Sequence, residues 1–224
     1  MNERIYETTT DTDNSILTSK STAPRLMKDT EFREDNNRRI ICRRNHFVAN
    51  FWKAKERGQL FTTESGEHRI TVLAKKAGEG IVLKKYIKEQ RRKKNDILSF
   101  AELKTSTDYE YSMTEYGVKD NIIIKEKSDV YRYKFILQCE HVTPQIVELE
   151  KRILFLSNDT GKEVFFIPAS FMMDAIGIVS TDVYYELTPQ PKGVFQLTVT
   201  ADGEWVNAKE RVFPVIIYPQ ISRG

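Results

Sequence analysis

The densest group of chemically active side chains is a basic run from Lys84 to Lys94, with the sequence KKYIKEQRRKK. The run holds one acidic residue, and Tyr86 and Ile87 are its only apolar side chains. Its basic residues are Lys84, Lys85, Lys88, Arg91, Arg92, Lys93 and Lys94. Such a density of positive charge attracts anionic polymers, either nucleic acid or a phosphate-rich cell-wall polymer. The competing interpretation, which the polar composition favours, is a solvated loop or a short exposed helix without a ligand.

Composition argues against a nucleic-acid partner and against a membrane span. The formal net charge of the 224-residue chain is only +3, and no aromatic motif of an RNA-binding module accompanies the basic run. Hydrophobic residues make up 40% and charged residues 30% of the chain, a balance typical of globular proteins. The chain has no uninterrupted stretch of about 18 apolar residues, so no transmembrane helix is expected.

Acid–base chemistry would have to come from acidic residues in the C-terminal half. Asp174, Asp182, Asp202 and Glu204 are the candidates for the carboxylate pair that glycoside hydrolysis requires. Their spacing does not select any two as partners. The sequence also contains no nucleophile elbow, metalloprotease motif or phosphate-binding loop. We therefore expect no enzymatic activity, no catalytic residues and no cofactor.

Potential metal ligands are few and scattered, with two cysteines and three histidines in the chain. Cys42 and His46 lie four residues apart, a spacing that places both on one face of a helix, but no further ligands accompany them. A calcium site formed by Asn158, Asp159 and Asp174 is a less favoured alternative, because the run from Asn158 to Gly161 is typical of a hairpin turn. We expect no metal site, and the sequence leaves open whether Cys42 and Cys139 form a disulfide.

Two residues near the C-terminus are expected to have structural roles. Trp205 is interpreted as an anchor of the core or of a corner, in preference to a sugar-stacking platform. Arg211 is expected to form an ion pair across a turn, because Asp202 and Glu204 lie close to it in sequence. Recognition of a substrate by Arg211 is the less favoured alternative.

Pro214 and Pro219 flank the short apolar segment 215–217. Proline has no N–H group to donate to a β-ladder. We therefore expect the last strand to lie at a sheet edge, or to pair with its proline nitrogens facing outward.

Alternating apolar and polar residues predict antiparallel strands through most of the chain. Segments 60–63 and 69–74 predict a hairpin around the turn at Glu64–Glu67. Further strands are predicted at 81–83, 130–138, 153–156, 163–167, 183–187, 195–200 and 212–217. Turn residues between these strands favour an all-β fold built as an antiparallel β-sandwich, with room for one short helix.

The same pattern divides the chain into three parts. Residues 1–36 are rich in Thr, Ser, Asp and Asn without apolar periodicity, which predicts a disordered tail or linker. Residues 37–104 are interpreted as an N-terminal β-rich subdomain, and residues 105–224 as an antiparallel β-sandwich.

The stretch Ala201–Ile221, ADGEWVNAKERVFPVIIYPQI, resembles a region of the RHS-repeat and DNRLRE-domain group of bacterial cell-surface proteins. In that group a strand leads into a Trp, a short acidic turn, an Arg and a strand of the form V-x-P-V-x-I-x-P-x-I. Further segments that follow the group's motifs in order are 116–123, 131–137, 164–174 and 183–187. The match covers residues 105–221 well and 25–104 loosely. The group usually has a longer segment in the N-terminal part, which leaves open whether that subdomain is complete.

This resemblance implies a non-catalytic structural or adhesion module of a secreted or cell-surface protein of a Gram-positive bacterium. Its partners would be neighbouring domains of a larger protein, and its location extracellular or on the cell surface, although the sequence shows no signal peptide. One alternative is a module that binds cell-wall polymer or host glycans. A second alternative is the N-terminal portion of a polymorphic toxin.

Overall fold

The structure, a computed structural model, describes residues 33–34, 39–44, 47–52, 59–74, 83–86, 97–104, 106–113 and 117–224. Within these ranges the backbone is predominantly β-strand, and every strand pairing is antiparallel. This confirms the predicted all-β fold class. No helix in the described ranges is long and apolar enough to cross a membrane.

The strands of the first half are β1 (Arg33–Glu34), β2 (Arg39–Arg44), β3 (Phe47–Trp52), β4 (Gln59–Ser65), β5 (His68–Ala74), β6 (Leu83–Tyr86), β7 (Ile97–Lys104), β8 (Thr107–Met113) and β9 (Gly117–Ile124). Those of the second half are β10 (Arg132–Glu140), β11 (Val142–Val147), β12 (Arg152–Ser157), β13 (Glu163–Ile167), β14 (Met172–Met173), β15 (Val179–Ser180), β16 (Val183–Gln190), β17 (Val194–Ala201), β18 (Val215–Ile217) and β19 (Gln220–Arg223). A short helix, α1, spans Gly203–Asn207, and a 3-10 turn spans Glu148–Glu150.

The strands form two sheets. In the first, the order is β1-β2-β3-β4-β5-β10-β17-β16, so a run of sequential hairpins meets a second hairpin through the β5–β10 pairing. In the second, β9 is central: β8 pairs along one edge, while β18 and β19 pair with successive halves of the other. Beyond β8 the sheet continues to β7 and β6. The other strands extend it in the order β11-β12-β13-β19 on one side and β18-β14-β15 on the other.

Alternating side chains of the facing sheets form the core. Along β10, Tyr133, Phe135 and Leu137 are buried while the residues between them are wholly or partly exposed. Aromatic rings cross between the sheets: Phe61 of the first lies 5.3 Å from Tyr111 of the second, measured between ring centroids. Tyr109 and Phe135 make an edge-to-face contact at 5.7 Å. These contacts establish a sandwich with one continuous core.

The predicted hairpins β4–β5, β12–β13 and β16–β17 are all present. The edge position predicted for the last strand is wrong, because β18 lies between β9 and β14. Pro214 and Pro219 fall just outside its ends, so neither leaves a gap in the ladder. The strand predicted at 212–217 begins at Val215 in the structure, and the chain continues into β19, which the strand pattern did not predict.

The predicted division at residue 104 stays a prediction. Strand pairing runs across that point, since β7 pairs with β8 and β5 pairs with β10. Most of the predicted tail, residues 1–36, lies outside the described residues; Arg33 and Glu34 pair with β2.

Candidate functional site

An ion pair is buried where the β14–β15 hairpin meets the segment after α1. Arg211 Nη1 lies 3.2 Å from Asp174 Oδ2, and the side chains are 8% and 0% exposed respectively. Asp174 Oδ1 accepts hydrogen bonds from the backbone N–H groups of Ile176 and Ile178, at 3.1 and 2.8 Å. The carboxylate therefore closes its own turn with one oxygen and holds the arginine with the other.

Trp205 completes this group. Its ring lies 4.4 Å from the Arg211 guanidinium carbon, which is cation–π contact distance. The half-buried indole also packs against the hydrophobic core. The ring face nearest Arg211 is covered by the guanidinium. The role predicted for Trp205, an anchor of the core or of a corner, stays a prediction.

The partner predicted for Arg211 is wrong. Asp202 instead caps α1, accepting a hydrogen bond from the Glu204 N–H at 3.0 Å, as expected for an acidic residue at a helix N-terminus. Its buried partner, Asp174, is 37 residues away in sequence. The exposed Glu210 also lies 3.6 Å from Arg211 Nη2. Local spacing could not reveal Asp174 as the partner, because the strands between it and Arg211 set the contact.

The surroundings of Asp174 lower its pKa. Desolvation alone would raise it, but hydrogen bonds from the backbone and the positive charge of Arg211 outweigh that effect. The carboxylate is thus held ionised and fully engaged. Within the described part of the chain, the Asp174 carboxylate makes no hydrogen bond to another carboxyl group.

A second buried carboxyl group lies on β9. Burial raises the pKa of Asp120 well above its usual range, and the neighbouring Tyr111 hydroxyl only partly offsets this. Tyr111 itself is completely buried in the core. A sequence signal for this group exists, because side chains alternate between the two faces of a strand. Asp120 shares the face of Val118, Ile122 and Ile124, which are all buried.

Cys139 is a free thiol. Burial raises its pKa to about 12, so the reactive thiolate is scarcely populated at neutral pH. The side chain of Cys42 lies outside the described residues.

Only the beginning of the basic run falls within the described residues. Lys84 and Lys85 lie on β6, paired with Ser99 and Leu98 of β7. The other members, Lys88, Arg91, Arg92, Lys93 and Lys94, lie outside those ranges. Anion binding by the run therefore stays a prediction.

Two hairpin turns, β4–β5 and β12–β13, meet the β10–β11 connection between the two sheets and bring together Glu67, His141 and Asp159. One potential ligand atom from each residue lies within 4.8 Å of the others, and all three side chains are exposed. From the sequence, Asp159 is favoured as a turn residue over a calcium ligand, and Glu67 and His141 have no assigned role. Local sequence patterns could not have joined them, because they lie in three different connections that only the folded sheets bring together.

Comparison with known proteins relates the chain to bacterial nucleases. It is 24% identical over 202 residues to the tRNA(Glu)-specific nuclease WapA of Bacillus subtilis subsp. natto (strain BEST195). It is 25% identical over 203 residues to the tRNA nuclease WapA of Bacillus subtilis (strain 168). A third relative is the tRNA3(Ser)-specific nuclease WapA of Bacillus spizizenii, at 24% identity.

In each case the match covers 86% of this chain but 8% of the relative's length. No family model matches the chain. No solved structure matches it either.

These relatives correct the functional expectations drawn from the sequence. They are named as enzymes that act on tRNA, which contradicts the predicted non-catalytic adhesion module, the predicted lack of enzymatic activity and the predicted carbohydrate binding. They also contradict the expectation that nucleic acid is not a partner. That expectation relied on the small net charge of the chain, but net charge says little about how positive charge is distributed along it.

Proposed function

We propose that this chain is a β-sandwich segment of a tRNA nuclease of the polymorphic-toxin kind. The observation that carries the proposal is the similarity to three tRNA nucleases over 86% of the chain. The matched length makes up 8% of each relative. The nuclease activity is therefore proposed for the polypeptide to which the segment belongs.

The resemblance to RHS-repeat and DNRLRE-domain proteins supports the same proposal from a different direction. It suggests a large protein with an extracellular or cell-surface location, which suits a toxin that must reach another cell. The location is tested by cell fractionation and by protease treatment of intact cells, followed by immunoblotting against residues 117–224. Protection of the antigen inside intact cells would contradict a surface location.

The basic run offers such a protein a way to attract its polyanionic substrate. Phosphate contacts made by Lys and Arg supply most of the sequence-independent affinity for nucleic acids. We propose that Lys84–Lys94 contributes to tRNA binding in this manner. The charge density of the run supports this proposal, which is testable separately from cleavage.

The nuclease proposal is tested by cleavage of purified total tRNA. The substrate is incubated with the product of the complete reading frame that encodes these residues, and in parallel with the 224-residue chain. An equal mass of 5S rRNA serves as the control for nonspecific degradation. We expect the reading-frame product to cut tRNA in preference to the control. If neither protein cuts tRNA, the proposal is wrong.

A further inference from the structure

The polar group at one end of the sandwich has the composition of a metal site. Glu67 lies in the β4–β5 turn, His141 between β10 and β11, and Asp159 in the β12–β13 turn. Their nearest ligand atoms lie within 4.8 Å of one another. An imidazole nitrogen with two carboxylate oxygens is a donor set that suits divalent transition metals.

Hydrogen bonds between the turns fix their relative positions. His68 Nε2 lies 3.1 Å from Ser157 Oγ, which joins the β4–β5 hairpin to the β12–β13 hairpin. The Asn158 N–H donates to the His141 carbonyl at 2.9 Å, and Thr143 Oγ1 donates to Asn158 Oδ1 at 2.8 Å. The three ligand residues are therefore carried by a connected framework, and their convergence does not depend on flexible loops.

The three side chains are not engaged in other polar contacts within the described structure. None of Glu67, His141 and Asp159 forms a side-chain hydrogen bond or ion pair with a described residue. Two carboxylates this close repel each other when both are ionised, and no Lys or Arg of the described ranges forms an ion pair with either. A bound cation would remove that repulsion.

We propose that Glu67, His141 and Asp159 bind a divalent transition-metal ion of the Zn²⁺ class. Ligand atoms of a tetrahedral zinc site with bonds of about 2.1 Å lie about 3.4 Å apart. Exposed side chains can reach this spacing by rotation. Three protein ligands leave a fourth position for water. The imidazole ligand favours zinc-class ions over Ca²⁺ and Mg²⁺, which prefer oxygen. This proposal does not depend on the proposed nuclease function.

The test is calorimetric titration of the 224-residue chain with ZnCl₂, after removal of any histidine tag. The variants are Glu67→Gln, Asp159→Asn and His141→Asn. Asparagine is chosen for His141 because this residue has φ +59°, a conformation that asparagine tolerates. The matched control is Glu140→Gln, which removes a neighbouring exposed carboxylate that pairs with Arg69 and is not among the proposed ligands.

We expect one Zn²⁺ per chain, at least a tenfold loss of affinity in each ligand variant, and unchanged affinity in the control. Circular dichroism checks that each variant is folded, and the two carboxylate variants remain decisive if His141→Asn is not. The ring signals of the three histidines give an independent NMR readout, in which only His141 should respond strongly. Absence of saturable binding, zinc affinity that all ligand variants retain, or tighter binding of Ca²⁺ than of Zn²⁺ would each overturn the proposal.

Discussion

At the scale of single residues, the buried ion pair between Arg211 and Asp174 is expected to stabilise the sandwich. Replacing Arg211 by Met leaves the buried Asp174 carboxylate without its cation, so Arg211→Met is expected to lower the melting temperature strongly. The control is Arg132→Met, which removes an exposed pair with Glu186 that contributes about 0–1 kcal/mol. Thermal unfolding of the two variants under identical conditions makes the comparison. Equal shifts would show that burial of the Arg211 pair has no energetic consequence.

The lowered pKa of Asp174 predicts how the difference in stability between the wild-type protein and Arg211→Met depends on pH. A group whose pKa is lower in the folded than in the unfolded state stabilises the fold above its unfolded pKa of about 3.9. This stabilisation disappears as the pH falls through the lower, folded value. The gap between the wild-type protein and Arg211→Met should therefore narrow when melting curves are recorded from about pH 7 down to about pH 3. A gap that widens in acid would contradict the assignment.

The raised pKa of Asp120 predicts a pH dependence of stability opposite in sign to that of Asp174. A carboxyl group that holds its proton more tightly in the folded state destabilises the fold least below its unfolded pKa of about 3.9. As the pH rises from there toward the folded pKa, the free energy of unfolding falls by about 1.4 kcal/mol per pH unit. Asp120→Asn should thus be more stable than the wild-type protein at about pH 7, with little difference at about pH 4. Urea unfolding at the two pH values measures this, and a variant that is destabilised at neutral pH would refute it.

At the scale of elements, the junction of β9 and β19 depends on the absence of a side chain. A Cβ atom on Gly117 would lie 2.0 Å from the Ile221 carbonyl oxygen and 2.8 Å from the Ser222 Cα. Both atoms belong to the backbone, so Gly117→Ala must push β19 away, and we expect a loss of more than about 3 kcal/mol. Gly203→Ala is the control, because its nearest neighbour is a Tyr131 side-chain carbon at 3.4 Å.

Urea unfolding and amide hydrogen exchange of Gln220–Arg223 together test this prediction. Gly117→Ala should accelerate exchange in β19, whereas Gly203→Ala should leave exchange and stability nearly unchanged. If both variants keep wild-type protection, β19 does not require the close approach at Gly117.

The strands and turns also show which features of the fold can be predicted from the sequence alone. Alternation predicted hairpins such as β4–β5 and β12–β13, because one face of each strand is buried and a slip of one residue would expose it. The same reasoning could not find contacts that the sheets create between distant residues, such as Arg211 with Asp174. The convergence of His141 with Glu67 and Asp159 arises in the same way, from three connections between strands at one end of the sandwich.

At the scale of the whole molecule, a net charge of +3 conceals an uneven distribution. The basic run concentrates seven positive charges within eleven residues, and a concentrated patch binds polyanions better than the same charge dispersed over the surface. Because the relatives are named for their action on tRNA, the relevant polyanion to test is tRNA.

Two variants with the same net charge distinguish the effect of the local basic run from the effect of the net charge of the chain. One replaces Arg91, Arg92, Lys93 and Lys94 by Gln; the other replaces the dispersed, exposed residues Lys134, Lys162, Lys192 and Lys209 by Gln. Each carries four fewer positive charges than the wild-type chain.

If the run binds phosphates, the first variant should bind tRNA at least tenfold more weakly and the second should be much less affected. The dependence of log affinity on log salt should also become shallower by about 0.7–0.9 for each phosphate that the variant no longer neutralises. Fluorescence anisotropy with labelled tRNA between about 50 and 200 mM salt measures both quantities. Equal effects in the two variants would show that only net charge matters, and would remove the run as a tRNA-binding element.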